Sequence, residues 1–530
     1  MPFIGKAFHI DDPLYLWAAR QIQFHPLDFY GFPVQWYEHK MPMFVVMKNP
    51  PLASYFIAVA ASLFGYAEIA LHTAFLIPAV FAAAGTYYLA KEFCSMPLAA
   101  ALAGILSPVF IISGTTVMGD IMMMSFWVWA AFIWIRGIKN NSIVNMLCAA
   151  LLTALCSLTK YFGMSLILLL FIYSLVRERK LTKSVLLLLL PVFILAAYQW
   201  ATSVLYGRGL LLDASSYALS YQNSEPGQLF EKGVTGLLFT GGCFIPVLFY
   251  ALYLLSKRAV VAGAGIAAMG FFLYLFAQGH SGFPLAKDNE LNWLFVLQCV
   301  FFLLAGAGIL LLAASDLYRH KNADSLFLFL WIAGVFLFAG FLNWTVNARS
   351  VLPMFPAIGI LIVRRIEETR MQTTFSATKY ILLPLIPALL VALSAAWADY
   401  MWSDTVRKAA VELGHRYANN PTTAWFEGHW GFQYYLELYG GRALDEDECG
   451  VSRGDIVIIP SNDTNTNIFR VPEKMFSLVE VYKTTPARWV STLNASTGAG
   501  FYSSDFGPLP FVFGPVPDTE YIIVRAISNL

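Results

Sequence analysis

The sequence predicts a mainly α fold, a polytopic α-helical membrane bundle of about 12 spans with a C-terminal exterior α/β domain. Hydrophobic residues make up 58% of the 530-residue chain and charged residues 13%, about half the charged share of roughly 25% in a soluble domain. The apolar residues form continuous runs rather than alternating, which argues against a membrane β-barrel. After Trp402 the long runs stop and short ones take their place. A formal net charge of +1 gives no support to a nucleic-acid partner.

Runs of span length, about 17–25 residues with shorter ones allowed inside a bundle, fall at about 70–91, 97–113, 121–137, 142–158, 162–176, 184–205, 233–255, 259–277, 291–314, 324–343, 350–363 and 380–402. With residues 1–69 outside, the inner turns carry fifteen Lys and Arg and the outer turns five, and the positive-inside bias sets that orientation. Three regions follow: an exterior catalytic loop with interfacial helices (1–69), a transmembrane domain (70–402) and an exterior soluble α/β domain (403–530). An exterior start needs a preceding span to carry it across, so one upstream transmembrane helix is expected in the native protein.

Asp11-Asp12-Pro13 opens a helix over 13–22, because Asp at the N-cap followed by Pro at N1 is a favoured start. A helix start needs one cap. Asp12 therefore caps, and Asp11 is left as a carboxylate without a structural task. Residues 23–47 are rich in aromatics and histidine (His25, Phe29, Tyr30, Trp36, Tyr37, His39), the composition of an interfacial belt. Lys48 precedes the Asn49-Pro50-Pro51 corner, after which Leu52 to Gly65 reads as a short apolar helix along the surface. Lys48 is either a snorkelling cation or part of a site. Asp120 is either a cap for the third run or an ionisable group placed at the membrane for a purpose. Lys160, Arg208 and Arg349 oppose the charge bias and put cations on the face that holds the acids.

The order of these pieces resembles the membrane glycosyltransferases of the C superfamily. They are Asp11-Asp12-x-x-Tyr15, Lys48-x-Pro50-Pro51-Leu52, Leu63-Phe64-Gly65, Ser107-Pro108 followed by Asp120, Leu158-Thr159-Lys160, and Arg349 with Leu352-Pro353-x-x-Pro356. The pattern is most similar to the protein O-mannosyltransferase, lipid A aminoarabinose transferase and lipopolysaccharide-core transferase group, over most of residues 8–365. Two features depart from the family: Asp12 stands where Glu is usual, one methylene shorter, and the family's first helix is absent.

The resemblance implies an inverting sugar transfer from a polyprenyl-phosphate donor to an exterior acceptor, which is a lipopolysaccharide or lipid A, another glycan, or a protein. A leaving lipid phosphate needs cations more than an acid, which points to Lys48, Lys160 and Arg349. The acceptor hydroxyl needs a carboxylate base, which points to Asp11, with Asp12 and Asp120 as further catalytic acids. No cofactor is expected. A divalent metal is unsupported, since His9 near Asp11 offers one ligand without a set. The expected location is a bacterial inner membrane, with the site and the C-terminal domain on the periplasmic side among membrane lipids. A lipid-linked glycan flippase would show repeated halves, and none is found; a polymerase or ligase would differ in its donor.

The loop 206–232, with Tyr217, Tyr221 and Glu225-Pro226-Gly227, is a candidate lid, and His280 in the turn 278–290 reads as a solvated surface residue. Beyond 402, residues 403–418 read as an amphipathic helix. Apolar runs at 423–426, 455–459, 476–481 and 521–524 read as buried strands, and 430–439 as a helix ending at Gly440-Gly441. His429 beside Glu427 reads as structural. Cys449 is alone in this region and the other five cysteines lie near the membrane, so no disulfide framework forms.

Overall fold

The computed structural model describes residues 2–220, 226–254, 263, 265, 286–287, 290–370, 382–418, 423–445, 447, 450–464, 466 and 475–529. The protein is an integral membrane protein built mainly of helices. Among the described residues, seven are long and apolar enough to cross a bilayer: Glu68–Ala90, Gly119–Lys139, Tyr161–Glu178, Lys183–Tyr206, Trp293–His320, Ala323–Leu342 and Leu385–Ala418. Leu52–Phe64 and Ile143–Thr159 are apolar but shorter. Gly119–Lys139 is central, with 78% of its apolar window buried, while Lys183–Tyr206, at 28%, is peripheral and turns most of its surface outward. Several starts are set by side-chain caps: Ser142, Asn292 and Asn322 each accept the amide three residues on, as small polar residues do at this position.

Three of the expected runs are not single helices. Residues 97–113 form Pro97–Ile105 and Pro108–Ser113, because Pro108 lacks an amide for the preceding turn and begins a new helix instead. The run 233–255 starts earlier and is split into Pro226–Cys243 and Pro246–Leu254. The run 350–363 is divided at Leu352–Met354 before Phe355–Arg370. The run 259–277 apart from 263 and 265, the turn 278–290 bearing His280 apart from 286, 287 and 290, and Tyr221, Glu225 and Cys449 lie outside the described residues. Much of the candidate lid is helix, Leu210–Ser220 and the start of Pro226–Cys243. The five described cysteines are all free.

Helices Pro97–Ile105 and Phe355–Arg370 touch through glycines. A methyl group on Gly104 would strike the carbonyl of Phe355, and one on Gly359 that of Ala100, the close backbone approach that small residues permit between membrane helices. Gly359→Val is expected to cost about 1–3 kcal/mol through overpacking. Thermal unfolding in detergent checks this, with Gly308→Ala as the control, since nothing lies within 4 Å of a Cβ there.

The C-terminal region is α/β, and all four expected strands form, although Phe476–Thr484 is an edge strand that is largely exposed rather than buried. The sheet runs in the order Arg442–Ala443, Ala424–Phe426, Ile456–Pro460, Thr519–Ala526, Phe476–Thr484. The first three strands are parallel and the last two antiparallel, with Ile523 opposite Ile458. Helix Trp430–Leu438 follows the second strand and ends before Gly440-Gly441 as expected. Residues 403–413 are not a separate helix, however. Leu385–Leu413 is continuous, so a boundary at 402 falls inside one element that carries the membrane region into the sheet domain.

The aromatic stretch 23–47 is not a belt at the lipid surface. Phe29, Tyr30 and Trp36 are buried: Phe29 packs on the rings of Tyr55 and Tyr206 and the Tyr30 amide donates to the Tyr206 hydroxyl at 3.0 Å, while a two-stranded hairpin, Pro33–Gln35 with Lys40–Pro42, sets Trp36 against the sheet domain. Trp36 stacks on His429 at 4.9 Å, nearly parallel, and the His429 amide donates to Asp463 Oδ1 at 3.1 Å. Burial holds the His429 imidazole down to about 4 from its ordinary 6.5. The neutral ring's contribution to stability is present above about 6.5 and is lost as pH falls through about 4. The thermal midpoint is therefore expected to fall between pH 7 and pH 4, with a shallower fall in His429→Phe, which keeps the stacking and loses the titration.

Candidate active site

The helix Asp12–Phe24 begins where the sequence places it, but not by the expected cap. Asp11 occupies the N-cap position and makes no side-chain cap bond. The Asp12 carboxylate instead accepts the His9 amide at 3.0 Å and the Val117 amide at 2.9 Å, and pairs with His9 Nδ1 at 3.2 Å. Burial raises the Asp12 carboxyl, yet the His9 hydrogen bond and charge outweigh it and hold the group below its usual value. Just upstream, Ile10 sits at φ 52°. For a β-branched residue this is a strained conformation, worth about 1–3 kcal/mol. It turns the chain so that consecutive carboxylates face different surroundings.

Asp11 faces a cation. Arg349 Nη2 lies 2.9 Å from Asp11 Oδ2, and Arg349 Nη1 lies 3.9 Å from Asp120 Oδ2. Lys160, at the C-cap of helix Ile143–Thr159, pairs with the other oxygen of Asp120. Arg349 is held from behind by Met118 Sδ at 2.8 Å and stands 5.7 Å over the Tyr502 ring. Asp120 is 1% exposed. Its Oδ2 and Arg349 Nε have no hydrogen-bond partner among the described residues, which is unusual for buried polar atoms.

Lys48 Nζ lies 2.6 Å from Asp213 Oδ2, and Arg208 Nη1 lies 3.1 Å from Asp213 Oδ1. The lysine also sits 5.1 Å over the Tyr217 ring. Two cations thus converge on one carboxylate supplied by helix Leu210–Ser220.

These groups share a cavity of about 840 Å³. Asp11, Lys48, Asp120, Lys160 and Arg349 all line it, and its remaining wall is largely apolar and aromatic, including Trp36, Trp127, Tyr161, Tyr217 and Trp344. Of the six residues singled out from the sequence, only Asp12 does not line it. Asp12 is 0% exposed and belongs to a second, buried layer. There Lys6 pairs with Asp399, Asp399 Oδ2 accepts the Tyr502 hydroxyl at 2.9 Å, Thr492 donates to Oδ1 at 3.1 Å, and Tyr502 meets His9 Nε2 at 2.8 Å. Sequence reasoning missed Lys6, Asp399, Tyr502 and Asp213. Asp399 carried a signal, an acid within an apolar run, where ionisable groups are costly. Among the described residues, clusters with metal-ligand spacing occur at His39, Asp445, Asp447 and at Asp316, His320, Glu368, and neither group lines the cavity. In the second cluster Arg364 and Arg319 already pair with Asp316 and Glu368, at 3.4 Å and 3.7 Å.

Fold and cavity together define a helical membrane protein with a paired-acid, multi-cation cavity. Residues 48–201 match the family model for dolichyl-phosphate-mannose-protein mannosyltransferases, which supports the resemblance to the C superfamily. Similar solved structures include the archaeal oligosaccharyltransferase AglB from Archaeoglobus fulgidus in complex with an inhibitory peptide and a dolichol-phosphate. It is 14% identical, with a TM-score of 0.49 over 88% of this chain and 63% of that chain. ArnT from Cupriavidus metallidurans bound to undecaprenyl phosphate is 12% identical, with a TM-score of 0.46 over 91% of this chain and 93% of that one. The arabinofuranosyltransferase AftD from Mycobacteria is 10% identical, with a TM-score of 0.41 over 99% and 38%. The chain thus spans about three fifths of the length of the archaeal oligosaccharyltransferase. No curated protein matches the sequence.

Proposed function

We propose that the chain is a glycosyltransferase that moves a sugar from a polyprenyl-phosphate donor to a hydroxyl of an acceptor outside the cytoplasm, with inversion at the anomeric carbon. The observation that carries this is the meeting of Asp11, Asp120, Lys48, Lys160 and Arg349, scattered over about 340 residues of sequence, on one largely apolar cavity. Apolar and aromatic walls suit an isoprenoid chain, and the cations suit its phosphate, which leaves with the charge that Lys48 and Arg349 neutralise. Asp11 takes the proton of the attacking hydroxyl, oriented by Arg349. Asp120, with its unfilled oxygen, accepts from a hydroxyl of the bound sugar. Asp12 serves the reaction only by fixing the chain through His9 and Val117.

Asp213 stands in for an anion on Lys48 and Arg208. Removing its charge in Asp213→Asn frees both cations from a partly buried ion-pair cluster, so severalfold tighter binding of polyprenyl phosphate is expected by titration, with the fold unchanged. The reading itself is tested by incubating the purified protein with radiolabelled polyprenyl-phosphate sugars and a membrane extract. Label moving from donor to acceptor supports it, and a panel of donors untouched by wild type sinks it.

A further inference from the structure

A second hollow of about 360 Å³ lies between helix Asp12–Phe24, the strand Pro33–Gln35 and helix Trp430–Leu438. This is near the lower end of small-molecule pockets, about 300–1,000 Å³. It stands back to back with the charged cavity: Trp36 lines one and Trp17 the other, and their rings meet edge to face at 6.2 Å.

Its polar groups are fixed in advance. Gln433, 1% exposed, donates to the Gln35 carbonyl at 3.0 Å and to the Glu437 carboxylate at 2.8 Å. The Arg20 guanidinium lies 5.0 Å over the Tyr66 ring and donates to the Tyr434 hydroxyl at 3.3 Å. Gln21 donates to the Asp28 carbonyl at 3.1 Å. Planar heads anchored in this way lose little entropy when a ligand arrives. At the rim, Phe24 is 79% exposed. The end of its helix is tied by Gln23 to Ala58 and Ser62, whose own helix ends in the exposed Leu63 and Phe64. Large exposed apolar residues at helix ends in a membrane protein mark the lipid interface.

We propose that this hollow is a second, sugar-binding subsite that takes one ring of a glycan acceptor anchored in the membrane; the assignment rests on the transferase reading above. A sugar ring offers one face of C–H groups, which suits the Trp17 indole, and a rim of hydroxyls that donate and accept, which suits amides, a carboxylate and a guanidinium together. A phosphate does not fit, because Arg20 is the one cation lining the hollow among the described residues and Glu437 lines it too. An acyl tail does not fit, because it would bury these heads against hydrocarbon. An acceptor held here presents a further part of itself across the Trp17–Trp36 wall to the reacting cavity.

The test uses the full-length protein in lipid nanodiscs and methyl glycosides of glucose, galactose and mannose, with binding read by saturation-transfer NMR. At least one glycoside is expected to bind wild type and Asp11→Asn alike, with severalfold weaker binding in Gln433→Ala and in Trp17→Ala. Trp17→Phe, which keeps a ring, is expected to retain binding and serves if the alanine variant does not fold. No binding to wild type, or equal binding to the Gln433 and Trp17 variants, overturns the subsite. Sugar release from a polyprenyl-phosphate donor by the same preparations reports separately. Turnover without glycoside binding removes the subsite alone, and glycoside binding without any turnover removes the transferase reading.

Discussion

Asp11→Asn is expected to lower sugar transfer by about 10²–10⁴-fold, the usual contribution of a positioned general base. Folding should be intact, because Asn keeps the shape and Asp11 makes no cap bond. Its bond to Arg349 survives through the amide oxygen, so donor binding should change little and the loss should appear in kcat. Asp12→Asn gives the contrast. That carboxylate accepts two amides and pairs with His9 beneath the cavity floor, so the variant should lose thermal stability together with activity. Rates and melting midpoints for the two variants separate the roles. A near-normal rate for Asp11→Asn would assign the base elsewhere.

Lys6→Met is expected to destabilise the protein by about 3–5 kcal/mol, because it leaves a fully buried carboxylate without its cation. Lys6 and Asp399 are both 0% exposed, so water cannot replace the lost charge. The double variant Lys6→Met/Asp399→Asn removes the uncompensated charge and should recover part of the loss, since one of the two hydroxyls, Tyr502 or Thr492, which donate to different carboxylate oxygens, can still donate to the amide oxygen while the other accepts from the amide NH2. Denaturation of the single and double variants in one detergent measures the coupling. A single variant as stable as wild type would mean that Asp399 is satisfied by Tyr502, Thr492 and His9 alone.

Much of the cavity was legible in the sequence because residue type and topology constrain each other in a membrane protein. Asp120, Lys160 and Arg349 lie at the ends of apolar runs, on the same side of the expected bilayer as the segment that carries Asp11 and Lys48, and charged groups so placed have few directions in which to point. The four C-terminal strands were legible as short apolar runs in polar surroundings. Asp12 was not legible. Its task is set by His9 and Val117, and a cap rule that sees only the next few residues assigns it to the helix. Tyr30 and Trp36 were misplaced at the interface because composition does not reveal that Tyr30 will bond to Tyr206 and Asn49 or that a hairpin will set Trp36 against a distant domain. Lys6 and Asp399 are 393 residues apart, a separation that no local pattern spans.

The unbroken helix Leu385–Leu413, with Asp399 on it, has a practical consequence for anyone wishing to exchange acceptor preference between related chains. A chimera cut at the visible change in composition after Trp402 would sever a rigid rod and pair one parent's Asp399 with another's Tyr502 and Thr492. The workable unit of exchange begins upstream of residue 385 and carries the opening residues 6–12 with it, so that the buried layer around Asp399 and the C-terminal sheet domain come from a single parent.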